Sequence, residues 1–365
     1  MFVAWRDLRF AKGRFTLMGT VIVLITLLVG LLSGLTAGLA RENISAITGL
    51  PADRLAFAAP PAGQSVSFTN STVTESQWRA WAARPGVDAA APLGIRTLNA
   101  AAGDRTAALS AFGTEPGSGL APETGAGAKL GPGRVILSES AAEELGVGAG
   151  DAVRLGTLDA TVAAVAGDAS YSHTPVVWTS LTDWQKLGHS GTTPEEQATV
   201  IALTASGTAV DWAAGDTALK TSAKTPDEAL GAIGSYQAEN GSLQLMRGFL
   251  FVISALVIGA FFTVWTIQRS ADVAVLKALG ASTPYLLKDA LGQALVMLTA
   301  GTLLGTGLAV GIGALISGGD VPFVLQPLTV LGPAAVMIVL GALGAALSIR
   351  RITAVDPLTA LGSAR

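Results

Sequence analysis

The sequence predicts an α-helical membrane protein with four transmembrane helices plus an α+β extracytoplasmic domain inserted between helices 1 and 2. Three observations carry that prediction. Residues 15–40, 249–268, 290–319 and 321–349 contain no Asp, Glu, Lys or Arg. A bilayer core about 30 Å thick needs roughly 20 apolar residues of helix, so each stretch is long enough to cross. Between the first and second lies a polar insert, residues 41–248, with thirteen Lys or Arg against twenty-one Asp or Glu. The short segments on the opposite side of the apolar stretches hold ten basic residues, from Arg6, Arg9, Lys12 and Arg14 to Arg269, Lys277, Lys288, Arg350, Arg351 and Arg365, against four acidic ones. Basic residues in short loops stay in the cytoplasm, whereas a long domain crosses largely regardless of its charge. Both termini and the 269–288 loop are therefore expected inside, and the insert outside.

In chain order the segments read as follows. Residues 1–14 are a cytoplasmic amphipathic helix and 15–40 the first span; 41–245 form the extracytoplasmic domain, and 246–268 the second span. Residues 269–289 are a cytoplasmic helical segment, 290–316 the third span, 317–326 an external loop, 327–349 the fourth span and 350–365 a cytoplasmic tail. A basic start before an apolar run also resembles a signal peptide, with Gly38 and Ala40 placed like a cleavage site. The run is 26 residues long, beyond the usual 7–15 or so, and an uncleaved span is expected. A mean hydropathy of +0.53 is too apolar for a soluble enzyme of this length. With no cysteine, the outer domain has no disulfide and must be held by its own core, and thiolate metal sites are excluded.

Within the insert, Thr74-x-x-Gln77, Ser140-x-x-Glu143 and Thr182-x-x-Gln185 read as helix starts, with stops at Gly146 and Gly188. A hydroxyl there caps free N–H groups while the carboxylate or amide reaches back. Arg134–Leu137, Ala152–Leu155, Ala160–Val165 and Pro175–Trp178 are short β-branched runs bounded by turn residues. Residues 101–131, with nine Gly or Pro, read as loop. Thr225-Pro226-Asp227-Glu228 opens a helix, Pro suiting its first position, and that helix is expected to run through Glu239 and Met246 into the second span.

Residues 272–279 are good helix formers, Gly280 supplies a C-terminal stop, and Thr283-Pro284 starts the next helix. Val273, Leu276 and Leu279 recur at helical spacing, with Asp272 and Lys277 beside them. Such a short amphipathic helix suits docking into a partner's groove, or lying at the membrane interface. The run from Arg269 through Asp272, Lys277 and Gly280 to Ser282 resembles the coupling segment of MacB/FtsX-type (type VII) ABC transporter permeases. Arg350-Arg351-Ile-x-x-x-Asp356-Pro357 is similar to that family's ending, Trp5 through Arg14 to its N-terminal helix, and Leu137-Ser-Glu through Leu145-Gly to Gly150-Asp to its outer domain. Asp272 stands where Glu is commoner, with the charge kept. The resemblance implies a homodimer in the bacterial cytoplasmic membrane, bound to two copies of a separate cytoplasmic ATPase subunit that holds ATP and Mg. It further implies that Asp272, Val273, Leu276, Lys277, Leu279 and Gly280 couple to that subunit. This chain has no G-x-x-x-x-G-K-[ST] phosphate loop and is expected to be no enzyme. It is expected to bind no cofactor of its own, no intrinsic metal and no nucleic acid; beyond those two kinds of subunit, its partner is the lipid bilayer.

Gly30, Gly34 and Gly38 make a small-residue stripe on one face of the first span, for packing within a subunit or for a dimer seam. Gly301–Gly305 and Gly307–Gly311 repeat the pattern in the third span. The spans lack ionisable residues, which disfavours an ion relay and favours a hydrophobic or amphipathic cargo. A candidate cargo site is Arg41, Glu42, Glu239, Gln244, Met246, Arg247 and Phe249 at the outer ends of the first two spans. Glu239 and Met246 are possible haem ligands there, although arginines at span ends also serve as interface anchors. Compact members of the family export haem, which makes haem the leading single cargo. His173 and His189 are expected as surface or core imidazoles, Trp78, Trp81, Trp178 and Trp184 as core, and Met18 and Met297 as packing. The expected function is the permease of an exporter driven by mechanotransmission; the alternative is an FtsX-like transmitter that activates an envelope hydrolase without transport.

Overall fold

The computed structural model describes residues 12–125, 128–188, 195–207, 210–268, 275–277, 279–316 and 321–353. The chain divides into a helical unit, Met1–Gly38 with Ser242–Arg365, and an α/β unit, Leu39–Gly241.

Four helices among the described residues are long and apolar enough to cross a membrane: α1 (Lys12–Thr48), α7 (Gly234–Gln268), α8 (Thr283–Ile316) and α9 (Pro327–Thr353). In lipid every backbone polar group must bond within its own segment, which leaves helices as the form these stretches take. The first two outrun the predicted spans 15–40 and 246–268. Residues 41–48 contain no Gly or Pro and keep burying one side of the helix, at Asn43, Ala46 and Ile47; the helix stops only at Gly49. The helical unit has its own core of Met18, Ile22, Val29, Ile258, Phe262, Leu298 and Met337. Leu24, Leu256, Leu303, Leu315 and Leu347 stay exposed, as side chains facing lipid must.

Small residues set the closest approaches. A Cβ on Gly30 would stand 2.8 Å from that of Ala309, one on Gly34 would enter the Phe323 ring, and one on Gly38 would strike the Pro322 backbone. This chain's own α8 and the segment before α9 thus fill that stripe. Gly301 meets Ile22 and Gly305 meets Thr26 and the Val23 carbonyl, whereas among the described residues a Cβ on Gly307 or Gly311 would meet nothing within 4 Å.

The α/β unit is built on a mixed ten-stranded sheet among the described residues, in the order β12-β1-β11-β3-β4-β9-β5-β7-β6, with β8 beside β9. The strands are β1 (Arg54–Ala58), β3 (Val87–Ala102), β4 (Arg105–Thr114), β5 (Arg134–Leu137), β6 (Ala152–Leu155), β7 (Leu158–Val165), β8 (Ser170–Tyr171), β9 (Thr174–Ser180), β11 (Val200–Ala205) and β12 (Thr221–Lys224). A separate ribbon pairs β2 (Val73–Thr74) with β10 (Gln197–Ala198). The far end of β3 also pairs with β6, at Ala100↔Leu155 and Ala101↔Arg154, so half of the sheet closes on itself. Only β4–β9 and β5–β7 run parallel.

Both faces of the sheet are buried. Ala56, Val135, Leu137, Val177, Ile201 and Leu203 point into one core with Trp78, Trp81 and Trp184. Their neighbours Leu55, Phe57, Ile136, Val176, Trp178, Val200 and Ala202 point into another, with Ala46 and Ile47 from the end of α1, Leu50 just past it, and Leu230 and Ile233 before α7. Successive strand residues face opposite ways, and double-sided burial is why these strands read as unbroken apolar runs.

Several expectations are corrected. Residues 105–114, read as loop, form a strand whose last six residues are all buried; Gly103, at φ 55, gives the positive φ that a two-residue hairpin needs first. The helix α3 (Glu139–Leu145) is capped by Ser138, not Ser140, and α4 (Leu181–Lys186) by Ser180, not Thr182. In each case the hydroxyl at the strand exit reaches the N–H first, and Ser140 bonds Asp168 instead. Helix α2 (Glu75–Ala82) starts at Thr74, whose N–H donates to Gln77. The helix opened by Thr225 is only α6 (Pro226–Ala229), because the backbone extends at Ile233 before α7 begins. The remaining helix is α5 (Trp212–Leu219).

Gly94 and Gly113 face each other across β3 and β4, and a Cβ on either would lie inside the Trp184 side chain. Gly113→Ala should destabilise the outer domain by about 1–3 kcal/mol in thermal or urea unfolding. Gly231→Ala, with nothing within 4 Å, should stay within about 0.5 kcal/mol. Burial pushes the Asp183 carboxyl up, but Lys186 at 2.8 Å and the Gly133 N–H at 2.7 Å outweigh it and hold it below the ordinary range. A depressed carboxylate adds stability that is full above about pH 4 and is lost as pH falls through the folded value. Asp183→Asn should therefore lose about 1–3 kcal/mol at pH 7 and show a shallower fall in stability below about pH 4.

Candidate functional site

A polar cluster within the α/β unit forms where a hairpin meets the ends of α1 and α7. Strands β8 and β9 are joined by Ser172 and His173 alone, in the register Tyr171↔Thr174. Both turn residues have positive φ, 52 and 63, the pattern of a type I′ turn that normally takes Asn-Gly. For residues with a Cβ this conformation costs roughly 1–2 kcal/mol each, so the surroundings must hold it.

They do so from two sides. The Ser172 N–H donates to the Asn43 carbonyl at 3.0 Å and the His173 N–H to the Glu42 carbonyl at 3.3 Å. Both carbonyls lie in the last turns of α1. Ser45 Oγ accepts from the Ser170 N–H at 2.9 Å and donates to the Ser170 carbonyl at 3.2 Å. From α7, Ser235 Oγ donates to Asn43 Oδ1 at 3.0 Å and lies 2.8 Å from Ser172 Oγ. The Glu239 carboxylate lies 2.8 Å from His173 Nε2 and accepts from Asn43 Nδ2 at 3.3 Å. A carboxylate takes a proton donor, so the ring hydrogen belongs on Nε2, and the 3.0 Å approach of Asn43 Nδ2 to that nitrogen is a contact. His173 Nδ1 lies 3.6 Å from Glu42. Asn43 is only 1% exposed, and both ends of its amide are satisfied.

The structure thus brings Glu42 and Glu239 of the candidate cargo site together on opposite sides of His173. Arg41 instead pairs with Asp168 at 3.7 Å, with both side chains about half exposed, a geometry worth little. Gln244, Met246, Arg247 and Phe249 lie in the helical unit on an exposed stretch of α7, Met246 at 51% and Phe249 at 59%. No group of three or more His, Cys, Asp or Glu among the described residues is arranged to hold a metal ion. His189 lies outside the described residues, as do Asp272 and Val273.

Part of the candidate coupling segment lies among the described residues. Residues 275–277 are helical, Gly280 has φ 93, and the Ala281 and Gly280 N–H groups return to the Leu276 and Lys277 carbonyls at 2.9 and 3.0 Å. That is a Schellman stop. Leu276 and Lys277 are half-buried, and Leu279 is 79% exposed.

Sequence reasoning missed Asn43, Ser172 and Ser235. Asn43 and its partners in the hairpin and in α7 stand 130 and 192 residues apart, so no local spacing links them. The polar pair Ser172-His173, just ahead of the apolar run Pro175–Trp178, was the available signal.

Comparison with known proteins places the chain. Residues 245–357 match the FtsX-like permease C-terminal family model, and residues 15–218 the MacB-like periplasmic core domain. A Staphylococcus haemolyticus protein named as hemin transport system permease protein HrtB is 38% identical over 130 residues, 36% of this chain and 37% of that protein. The HrtB of Staphylococcus epidermidis ATCC 12228 is 32% identical over 141 residues, 38% of this chain and 39% of its own. The chain therefore spans well under half the length of these relatives. An uncharacterized ABC transporter permease of Mycobacterium tuberculosis, Rv2563, is 24% identical over 287 residues, 76% of each chain. Among solved structures, the periplasmic region of MacB from Actinobacillus actinomycetemcomitans is 13% identical, over 50% of this chain and 92% of that one, with a TM-score of 0.34. With one family model covering more than half of the residues and a second covering the helices that follow, this chain belongs to the MacB/FtsX-type ABC transporter permeases.

Proposed function

We propose that this chain is the permease subunit of an ATP-driven exporter that extrudes a hydrophobic or amphipathic compound, haem first among them, by mechanotransmission. Membership of the family implies an ATPase partner, and in this reading two copies of it bind a homodimer of this chain from the cytoplasm. Both termini and the 269–289 segment face that side of the bacterial cytoplasmic membrane. ATP and Mg stay with the partner. The carrying observation is that α1 and α7 each contribute residues to both units. ATP shifts the equilibrium only by binding the closed assembly better than the open one.

Asp272, Val273, Leu276, Lys277, Leu279 and Gly280 are the proposed contact to the ATPase. The Schellman stop and the exposed Leu279 support that role, since an apolar side chain at 79% exposure favours a partner's groove. Haem is favoured as cargo by the names of the HrtB relatives and by spans without ionisable residues. Glu239 and Met246 are its proposed ligands, with Arg41 and Arg247 as cations for carboxylates.

Reconstituted with its ATPase, the permease should hydrolyse ATP faster when haem is added and should clear haem from the vesicles. Hydrolysis indifferent to every lipophilic compound but raised by a cell-wall hydrolase would replace export with signalling. Glu239→Ala and Met246→Ala should each weaken haem binding about tenfold in a spectral titration, the equivalent of about 1.4 kcal/mol; unchanged binding in both would move the site. Leu279→Asp, at an exposed position, should abolish co-purification of the ATPase while leaving the unfolding midpoint in place.

A further inference from the structure

We propose that Asn43 and His173 are positioning residues of a permanent clasp, in which the Ser172-His173 turn locks the ends of α1 and α7 to the sheet as one body throughout the ATP cycle. This rests on the mechanotransmission reading and adds where, inside the outer domain, force leaves the helices.

The geometry points there on three counts. First, two non-glycine residues in a left-handed turn persist only where neighbours over-determine them. Here the neighbours that hold it throughout are the carbonyls of Glu42 and Asn43 on α1 and the side chain of Ser235 on α7, while Glu239, the proposed haem ligand, engages His173 when no cargo is bound. Second, Asn43 is buried and joins all three segments: its carbonyl and amide nitrogen serve the hairpin and Glu239, and its amide oxygen serves Ser235. A fully satisfied buried network specifies one arrangement, and a half-satisfied one is expensive. Sliding either helix by a single residue, about 1.5 Å, would break most of these bonds. Third, the hairpin leads directly into β9, which pairs with both β4 and β5 near the middle of the sheet. Movement that reaches the turn is therefore delivered to the sheet's centre.

Beneath this polar layer, Ala46 and Ile47 from α1, Leu50 just past it and Ile233 before α7 share the sheet's second core. The apolar layer resists separation without fixing rotation or sliding. The hydrogen bonds fix both. The ionic part is secondary, because His173, Glu42 and Glu239 are all partly exposed.

The absence of native cysteine makes the test clean. Ser172 Oγ and Ser235 Oγ lie 2.8 Å apart, so Ser172→Cys with Ser235→Cys places two sulfurs within bonding reach. In the complete complex with its ATPase, the oxidised double variant should keep ATP hydrolysis and haem efflux within about twofold of its reduced form, since a twofold change is under 0.5 kcal/mol. His173→Asn keeps a residue that tolerates positive φ while removing the ring between the carboxylates. It should retain ATP hydrolysis but export several-fold less haem per ATP, and oxidation of the double-cysteine pair in that background should restore the ratio. Restoration is a readout that a cargo ligand lost with the imidazole would not give. Independently of any cargo, hydrogen exchange at the Ser172 and His173 amides should be equally protected in nucleotide-free and ATP-trapped complexes.

Three results would overturn the clasp: stalled hydrolysis on oxidation, a His173→Asn variant with an unchanged ratio, or deprotection of those amides in one nucleotide state. A wild-type complex that exports nothing, yet keeps the amides protected in both states, would overturn only the export reading.

Discussion

Ile47, near the end of a helix that begins as a membrane-length apolar segment, is fully buried among Leu55, Phe57, Phe112 and Trp178 of the α/β unit. The rest of the architecture depends on that burial. A fully buried aliphatic side chain contributes roughly 1.5–3 kcal/mol, and Ala46 on the same helix end and Leu50 just past it add to it. The second core is built from strand and loop residues such as Phe57, Phe68, Phe112 and Trp178, with Ala46 and Ile47 of α1 completing it. Within the α/β unit, the polar clasp then selects a single register for the end of α1 and the start of α7.

The helical unit is held differently. In lipid, apolar side chains gain nothing by hiding from their surroundings, so close backbone approach has to supply the attraction. Gly30, Gly34, Gly301 and Gly305 provide it between α1 and α8 and the segment before α9. Gly307 and Gly311, with the same spacing, do not. A small-x-x-x-small pattern therefore identifies surfaces able to pack closely without saying which of them is used. Ser254, Thr263 and Ser348 turn their hydroxyls onto helix carbonyls, which satisfies polar groups without charge inside the apolar layer.

Much of this was legible in the amino acids, and the failures have physical causes. Arg134–Leu137 and Ala152–Leu155 match their predicted strands residue for residue, because β-branched side chains bounded by turn residues fit a half-buried pleat with little help. Arg105–Thr114 was missed because its Ala, Gly and Ser content has weak strand preference; its place between β3 and β9 imposes the conformation. The helix caps at Ser138 and Ser180 fell two residues before the expected hydroxyls, since the strand ends there and the first available oxygen wins. Glu42 and Glu239 were marked as site residues from their position at span ends. Asn43, which organises them, was invisible, because its partners are set by the fold and not by sequence distance.

The account stands or falls on whether the outer domain travels with the helix ends when ATP binds elsewhere in the assembly. Dipolar spectroscopy answers this with two labels, one at Thr48→Cys on the exposed end of α1 and one at Asp159→Cys, exposed at the start of β7. The distance within one copy should be the same without nucleotide and with ATP trapped, while the distance between the two Asp159→Cys labels of the dimer changes. A distance within one copy that shifts with nucleotide, or a distance between copies that never moves, would contradict it.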